Sequence, residues 1–98
     1  MIIQFVKLHS RLSEEELLEV AEERRPQFEA LEGLLQKYYV SRGEPGAYGG
    51  IYVWDSEASM KAFRESELAG TIAAAYQVTG PPEIEVMEVL FPLRDPLS

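Results

Sequence analysis

The run Gly49-Gly50-Ile51-Tyr52-Val53-Trp54-Asp55-Ser56-Glu57 constrains this chain more than any other. A glycine pair opens it, an apolar stretch follows, and an acidic helix start closes it. Side chains alternate across a strand, so Ile51 and Val53 take one face while Tyr52 and Trp54 take the other. A strand that is apolar on both faces belongs in a sheet covered on both sides. Trp54, the one tryptophan of the chain, stands at the hinge between this strand and the helix that Ser56 caps.

The remaining elements arrange themselves around that strand. Residues 2–8, short and rich in Ile, Phe and Val, read as a first strand. Ser13 and Glu16 form a capping box, and Glu14-Glu15-Glu16 suits the positive end of the helix dipole. Leu17, Val20, Ala21, Arg24, Phe28 and Leu31 follow at helical spacing. Pro26 removes a backbone donor and clashes one turn back, which predicts a kink or break near Arg24–Arg25. Gly33 reads as the helix stop.

Leu34 to Arg42 reads as a second strand, Gly43-Glu44-Pro45-Gly46 as a turn, and Tyr48 to Asp55 as a third strand. A second helix runs from Ser56 to about Ser66, and a further helical piece from Leu68 to Gln77. Ile84 to Phe91 alternates as a fourth strand, and the tail after it is too rich in proline for a strand interior. The order β-α-β-β-α-β is the ferredoxin-like α+β arrangement: a four-stranded antiparallel sheet with helices on one face. The third and fourth strands, apolar on both faces, predict that a second copy covers the bare face, giving a homodimer.

Ninety-eight residues suit a single domain spanning 1–98. The net charge of -8 repels phosphate backbones and anionic lipid, so neither nucleic acid nor a membrane is expected as a partner. The chain has no cysteine, which excludes disulfides and thiol chemistry and fits the cytoplasm. No cluster of metal-ligating residues is apparent, so no metal is expected.

The segments Leu31-Glu32-Gly33-Leu34-Leu35-Gln36-Lys37-Tyr38-Tyr39-Val40 and Gly49 through Glu57 resemble the dimeric α/β-barrel superfamily, and within it the YdhR-like monooxygenase family. The ending Asp95-Pro96-Leu97-Ser98, after an apolar strand, is similar as well. The resemblance implies a ferredoxin-like protomer packed sheet to sheet on its twin, with a pocket between sheet and helices. It implies oxygenation of small aromatic or polycyclic substrates with no cofactor, the substrate supplying the electrons as a carbanion or phenolate. Such a site needs an apolar cavity, a proton acceptor and donors for the developing negative charge. Trp54 matches the tryptophan of the family's Trp-Glu-Ser pattern. Quinone-forming relatives place an asparagine four positions before it and a tyrosine six positions after it, where this chain has Gly50 and Met60.

The candidate catalytic residues are therefore Trp54, flat enough to stack on a ring, Tyr52 on the same strand face, and His9. His9 is the only histidine, and imidazole is the side chain best suited to proton transfer near neutrality. Phe28, Tyr39, Trp54, Met60 and Phe63 are the candidate substrate-binding residues. Tyr39 shares its face with Lys37, and an ammonium beside a phenol makes it more acidic. Arg24, on the apolar stripe of the first helix, either lays its stem along the core or reaches an acidic ligand. Two other functions remain open: a dimeric barrel that carries or senses a small apolar ligand, and isomerase or lyase chemistry using His9.

Overall fold

The computed structural model describes residues 1–94. The Asp95-Pro96-Leu97-Ser98 ending lies outside the described residues. Eight elements follow in order: β1 (Ile2–His9), α1 (Glu14–Glu29), β2 (Leu34–Ser41), β3 (Ala47–Trp54), α2 (Glu57–Arg64), the four-residue turns α3 (Glu67–Gly70) and α4 (Ile72–Ala75), and β4 (Glu83–Glu88). The strands form one antiparallel sheet in the order β2-β3-β1-β4, the ferredoxin-like arrangement that the sequence order implies.

Local chemistry accounts for most boundaries. The Ser13 hydroxyl accepts from the Glu16 N–H, and the Glu16 carboxylate accepts from the Ser13 N–H, so the capping box is complete. These bonds hold the Glu16 carboxyl below its ordinary range. Ser56 caps α2 through the Ser59 N–H, and Ser66 caps α3 through the Ala69 N–H. Gly33 adopts φ +83°, a left-handed conformation that glycine tolerates. A Cβ there would also strike the Ser59 hydroxyl, and would lie 2.7 Å from Asp55 Oδ1.

Several boundaries differ from the sequence reading. No break occurs at Arg24–Arg25; α1 is continuous through Pro26. Proline removes the bond to the Glu22 carbonyl at a cost of about 3 kcal/mol in a helix interior, and α1 absorbs that cost without breaking. Phe28, buried two residues beyond it, anchors the segment to the core. The helix stops at Glu29 with Ala30 as its C-cap, and Gly33 shapes the turn into β2 instead. The stretch expected as one helical piece divides at Thr71, whose hydroxyl donates to the Leu68 carbonyl. Strand β4 ends at Glu88 because its partner β1 begins at Ile2, which lies opposite Glu88. Leu90 and Phe91 run on as exposed chain.

The register assigns each strand residue a face. Ile2, Gln4, Val6 and Leu8 of β1 meet Trp54, Tyr52, Gly50 and Tyr48 of β3 on the face beneath the helices. Two apolar clusters fill the space there. One gathers Leu12, Leu17, Ala21, Tyr48 and Tyr76; the other gathers Phe28, Tyr52, Trp54, Met60 and Phe63. The opposite face carries Ile3 and Phe5 of β1, Ile51 and Val53 of β3, Tyr38 of β2 and Met87 of β4. Tyr38 and Met87 are each about half exposed, at 49% and 46%.

Candidate functional site

Strand β2 delivers the central group. After an irregularity between Leu34 and Gln36, its register sets Lys37 opposite Tyr52 and Tyr39 opposite Gly50, all on the helix side. The Lys37 ammonium nitrogen lies 3.8 Å from the Phe28 ring centroid, 4.4 Å from Tyr39 and 4.6 Å from Tyr52. Three aromatic rings, one each from α1, β2 and β3, thus box a single amine. Gly50 leaves the room: a Cβ there would stand 3.2 Å from Tyr52 Cε1 and 3.3 Å from Lys37 Cε.

The Lys37 ammonium makes no hydrogen bond or ion pair among the described residues, whereas Lys7 meets Glu85 at 2.8 Å and Lys61 meets Glu57 at 3.3 Å. Loss of water around the ammonium pulls its pKa down to about 7, and the nearby Arg24 guanidinium adds to the effect. Arg24 stacks over Phe28 and Tyr76, at 5.7 and 5.8 Å, and one of its terminal nitrogens donates to the Thr71 hydroxyl at 2.9 Å. Its Nε is buried with no partner, and so is the Tyr76 hydroxyl.

Two spaces open onto Lys37 and Tyr39. An inner cavity of about 40 Å³ is walled by Val6, Leu17, Gly50, Tyr52, Ile72 and Tyr76. A groove of about 760 Å³ between α1 and β2 is lined by Leu18, Phe28, Leu34 and Leu35, with Glu22, Arg25 and Glu29 along it. Arg25 pairs with both Glu22 and Glu29, at 3.3 and 3.4 Å. The phenols of Tyr39, Tyr52 and Tyr76 are held in the neutral form. Burial raises the pKa of Tyr39 and of Tyr52, and pushes Tyr76 up to about 12. The site therefore offers one near-neutral amine, one fixed guanidinium and hydroxyl donors beside aromatic rings.

The candidate residues fall into three groups. Phe28, Tyr39 and Tyr52 meet around Lys37. Trp54, Met60 and Phe63 form the wall behind Tyr52. Trp54 is fully buried, stacks on Tyr52 at 5.9 Å with 3° between the planes, and donates its indole N–H to Gln4 Oε1 at 3.0 Å. Phe63 packs 5.4 Å from both Tyr52 and Trp54. His9 stands apart, exposed at the end of β1 and opposite Ala47 on the face away from the helices. Tyr39 does lie beside the Lys37 ammonium, but burial outweighs any acidifying effect and its pKa moves up. Lys37 itself was legible only as the face-mate of Tyr39. Pairing the β2–β3 hairpin would have set it against Tyr52. Nothing in the local sequence marks Tyr76.

Among the described residues, no three His, Asp or Glu side chains converge as metal ligands, and no helix is long and apolar enough to cross a membrane. No protein-family model and no curated protein matches the chain. Solved structures share its fold. A protein of unknown function from Nitrosomonas europaea is 23% identical with a TM-score of 0.75, over 96% of this chain and 93% of that one. A proposed antibiotic biosynthesis monooxygenase from Deinococcus radiodurans is 18% identical with a TM-score of 0.72, over 97% and 98% of the two chains. SnoaB, a cofactor-independent oxygenase from Streptomyces nogalater, is 15% identical with a TM-score of 0.72, over 96% and 98%. At these identities the likeness establishes the fold.

Proposed function

We propose that this chain is a single-domain, YdhR-like oxygenase that acts without cofactor on small aromatic or polycyclic phenols, with Lys37 as its proton acceptor. The observation that carries this reading is the unpaired Lys37 amine, boxed by Phe28, Tyr39 and Tyr52. Fold-mates such as SnoaB, described as a cofactor-independent oxygenase, support it by analogy.

The free amine takes a proton from the activated carbon or hydroxyl of the substrate. The resulting anion is held by the new ammonium, by Arg24 and by the neutral tyrosine hydroxyls. Oxygen accepts electrons from the substrate carbanion and bonds to its carbon. Loss of water then leaves a carbonyl, so a CH₂ group and O₂ become C=O and H₂O. The ring lies in the groove against Phe28, Leu34 and Leu35, and Tyr52, backed by Trp54, Met60 and Phe63, walls the inner cavity that also opens onto Lys37.

Oxygen uptake tests this reading. Anthrone-type phenols are expected to consume oxygen above the uncatalysed rate. Lys37→Met is expected to lower that rate about 10²-fold or more, the usual scale of a lost general base. Uptake that Lys37→Met leaves unchanged, or no uptake across a panel of such phenols, overturns it.

The alternative of a non-catalytic carrier or sensor for a small apolar ligand is favoured by Gly50 and Met60, where quinone-forming relatives carry polar groups. It predicts retention of an aromatic ligand with no oxygen consumed. His9, which isomerase or lyase chemistry needed as its base, lies on the far face.

The working unit in this proposal is a homodimer joined through Ile3, Phe5, Ile51 and Val53, with Tyr38 and Met87 at about half exposure awaiting cover. Sedimentation equilibrium at micromolar concentration is expected to give twice the 11.1 kDa chain mass, and a monomer mass there removes the dimer from the proposal.

A further inference from the structure

We propose that Lys37 is also a nucleophile, which takes small aromatic aldehydes and ketones from the α1–β2 groove as imines. This goes beyond oxygenation and does not require it, since the step consumes no oxygen.

The chain has three lysines, and two of them are committed: Lys7 to Glu85 and Lys61 to Glu57. An amine becomes nucleophilic when it is desolvated and placed near another cation. Lys37 meets both conditions, with three ring faces around it and Arg24 close by. The groups that face it are Phe28 and Arg24 from α1, Tyr39 from β2, Tyr52 from β3, and Tyr76 after α4. The groove's carboxylates, Glu22 and Glu29, are both engaged by Arg25. With a pKa of about 7, a large share of Lys37 is the free amine at neutral pH.

The two spaces suit the two parts of the reaction. The groove has volume for an aryl ring, against Leu18, Phe28, Leu34 and Leu35. The inner cavity, at about 40 Å³, suits a water-sized group. The Lys37 lone pair adds to the carbonyl carbon, and the carbonyl π pair moves to oxygen. A proton passes from nitrogen to that oxygen, giving a carbinolamine. The C–O bond then breaks as the nitrogen pair forms C=N. The neutral Tyr39 hydroxyl, which borders both spaces, donates the proton that leaves with the oxygen and regains one from nitrogen. The sum is amine plus carbonyl giving imine plus water.

The test traps the imine on the folded wild-type protein. Benzaldehyde and cyanoborohydride at pH 7, followed by peptide mapping by mass spectrometry, are expected to place a benzyl group on Lys37 roughly tenfold or more faster than on Lys7 or Lys61. The α-amino group of Met1 is mapped separately. Naphthalene, a neutral occupant of the groove, is expected to protect Lys37 alone, and Lys37→Arg to abolish that adduct. Labelling of Lys37 no faster than of the other lysines, or only in urea, overturns the proposal. Oxygen uptake without a trapped adduct overturns this inference alone. A trapped adduct without oxygen uptake overturns the oxygenase reading alone.

Discussion

Replacing Trp54 by alanine is expected to bring the protein to the edge of unfolding. The indole is completely buried, against Tyr52 and Phe63. Truncating a buried aromatic of this size costs about 3–5 kcal/mol. Gln4, only 2% exposed, would then lose the donor to its Oε1, adding about 1–3 kcal/mol for an unsatisfied buried polar atom. A chain of this length is stable by roughly 5–15 kcal/mol, so the sum of about 4–8 kcal/mol overlaps the lower part of that range. Trp54→Phe keeps one ring but loses the N–H and the rest of the indole, so its cost is expected between wild type and Trp54→Ala. Urea unfolding gives the answer. A loss below about 2 kcal/mol for Trp54→Ala would mean that the core does not depend on the indole as described.

The second large effect is a stability maximum on the alkaline side of neutrality. Lys37 titrates near 7 in the folded chain against an ordinary 10.5, so between those values the unfolded state binds the extra proton. Stability therefore rises with pH across that window, and is lost as pH falls through about 7. The full shift corresponds to at most about 5 kcal/mol. Partial exposure to the groove and attraction to three ring faces reduce the expected rise to ~2–3 kcal/mol. Above pH 10 the sign reverses. Tyr39, Tyr52 and Tyr76 all have raised folded pKa values, so the unfolded phenols ionise first and stability falls. Thermal unfolding followed from pH 6 to 11 should trace this dome. Lys37→Met should flatten its rising limb and leave the alkaline fall intact. A flat wild-type profile between pH 7 and 9.5 would show that the ammonium is not desolvated.

The fold was legible because its signals are local. Ser13 with Glu16, Ser56 before Glu57, and the alternation of Ile51 to Trp54 each act within a few residues. Pro26 misled because whether a helix absorbs its cost depends on what the segment packs against, and the burial of Phe28 is a tertiary fact. The end of β4 was set by the first residue of β1, since Glu88 pairs with Ile2 from the far end of the chain. The site divides the same way. Phe28, Tyr39 and Tyr52 declare themselves by aromatic character and spacing. Lys37 matters because it lacks a carboxylate, and the absence of a partner in space leaves no trace in the order of residues. Arg24 and Tyr76 come together only when α4 folds back over α1.

The stack of Tyr52 on Trp54 has an optical consequence. One face of Tyr52 looks toward Lys37, and the ring lies parallel to the only indole in the chain. A charge appearing or vanishing on that amine is thus 4.6 Å from a ring whose centroid lies 5.9 Å from that of the sole dominant fluorophore. The molecule carries its own built-in gauge: its emission should follow the state of the lysine with no label attached.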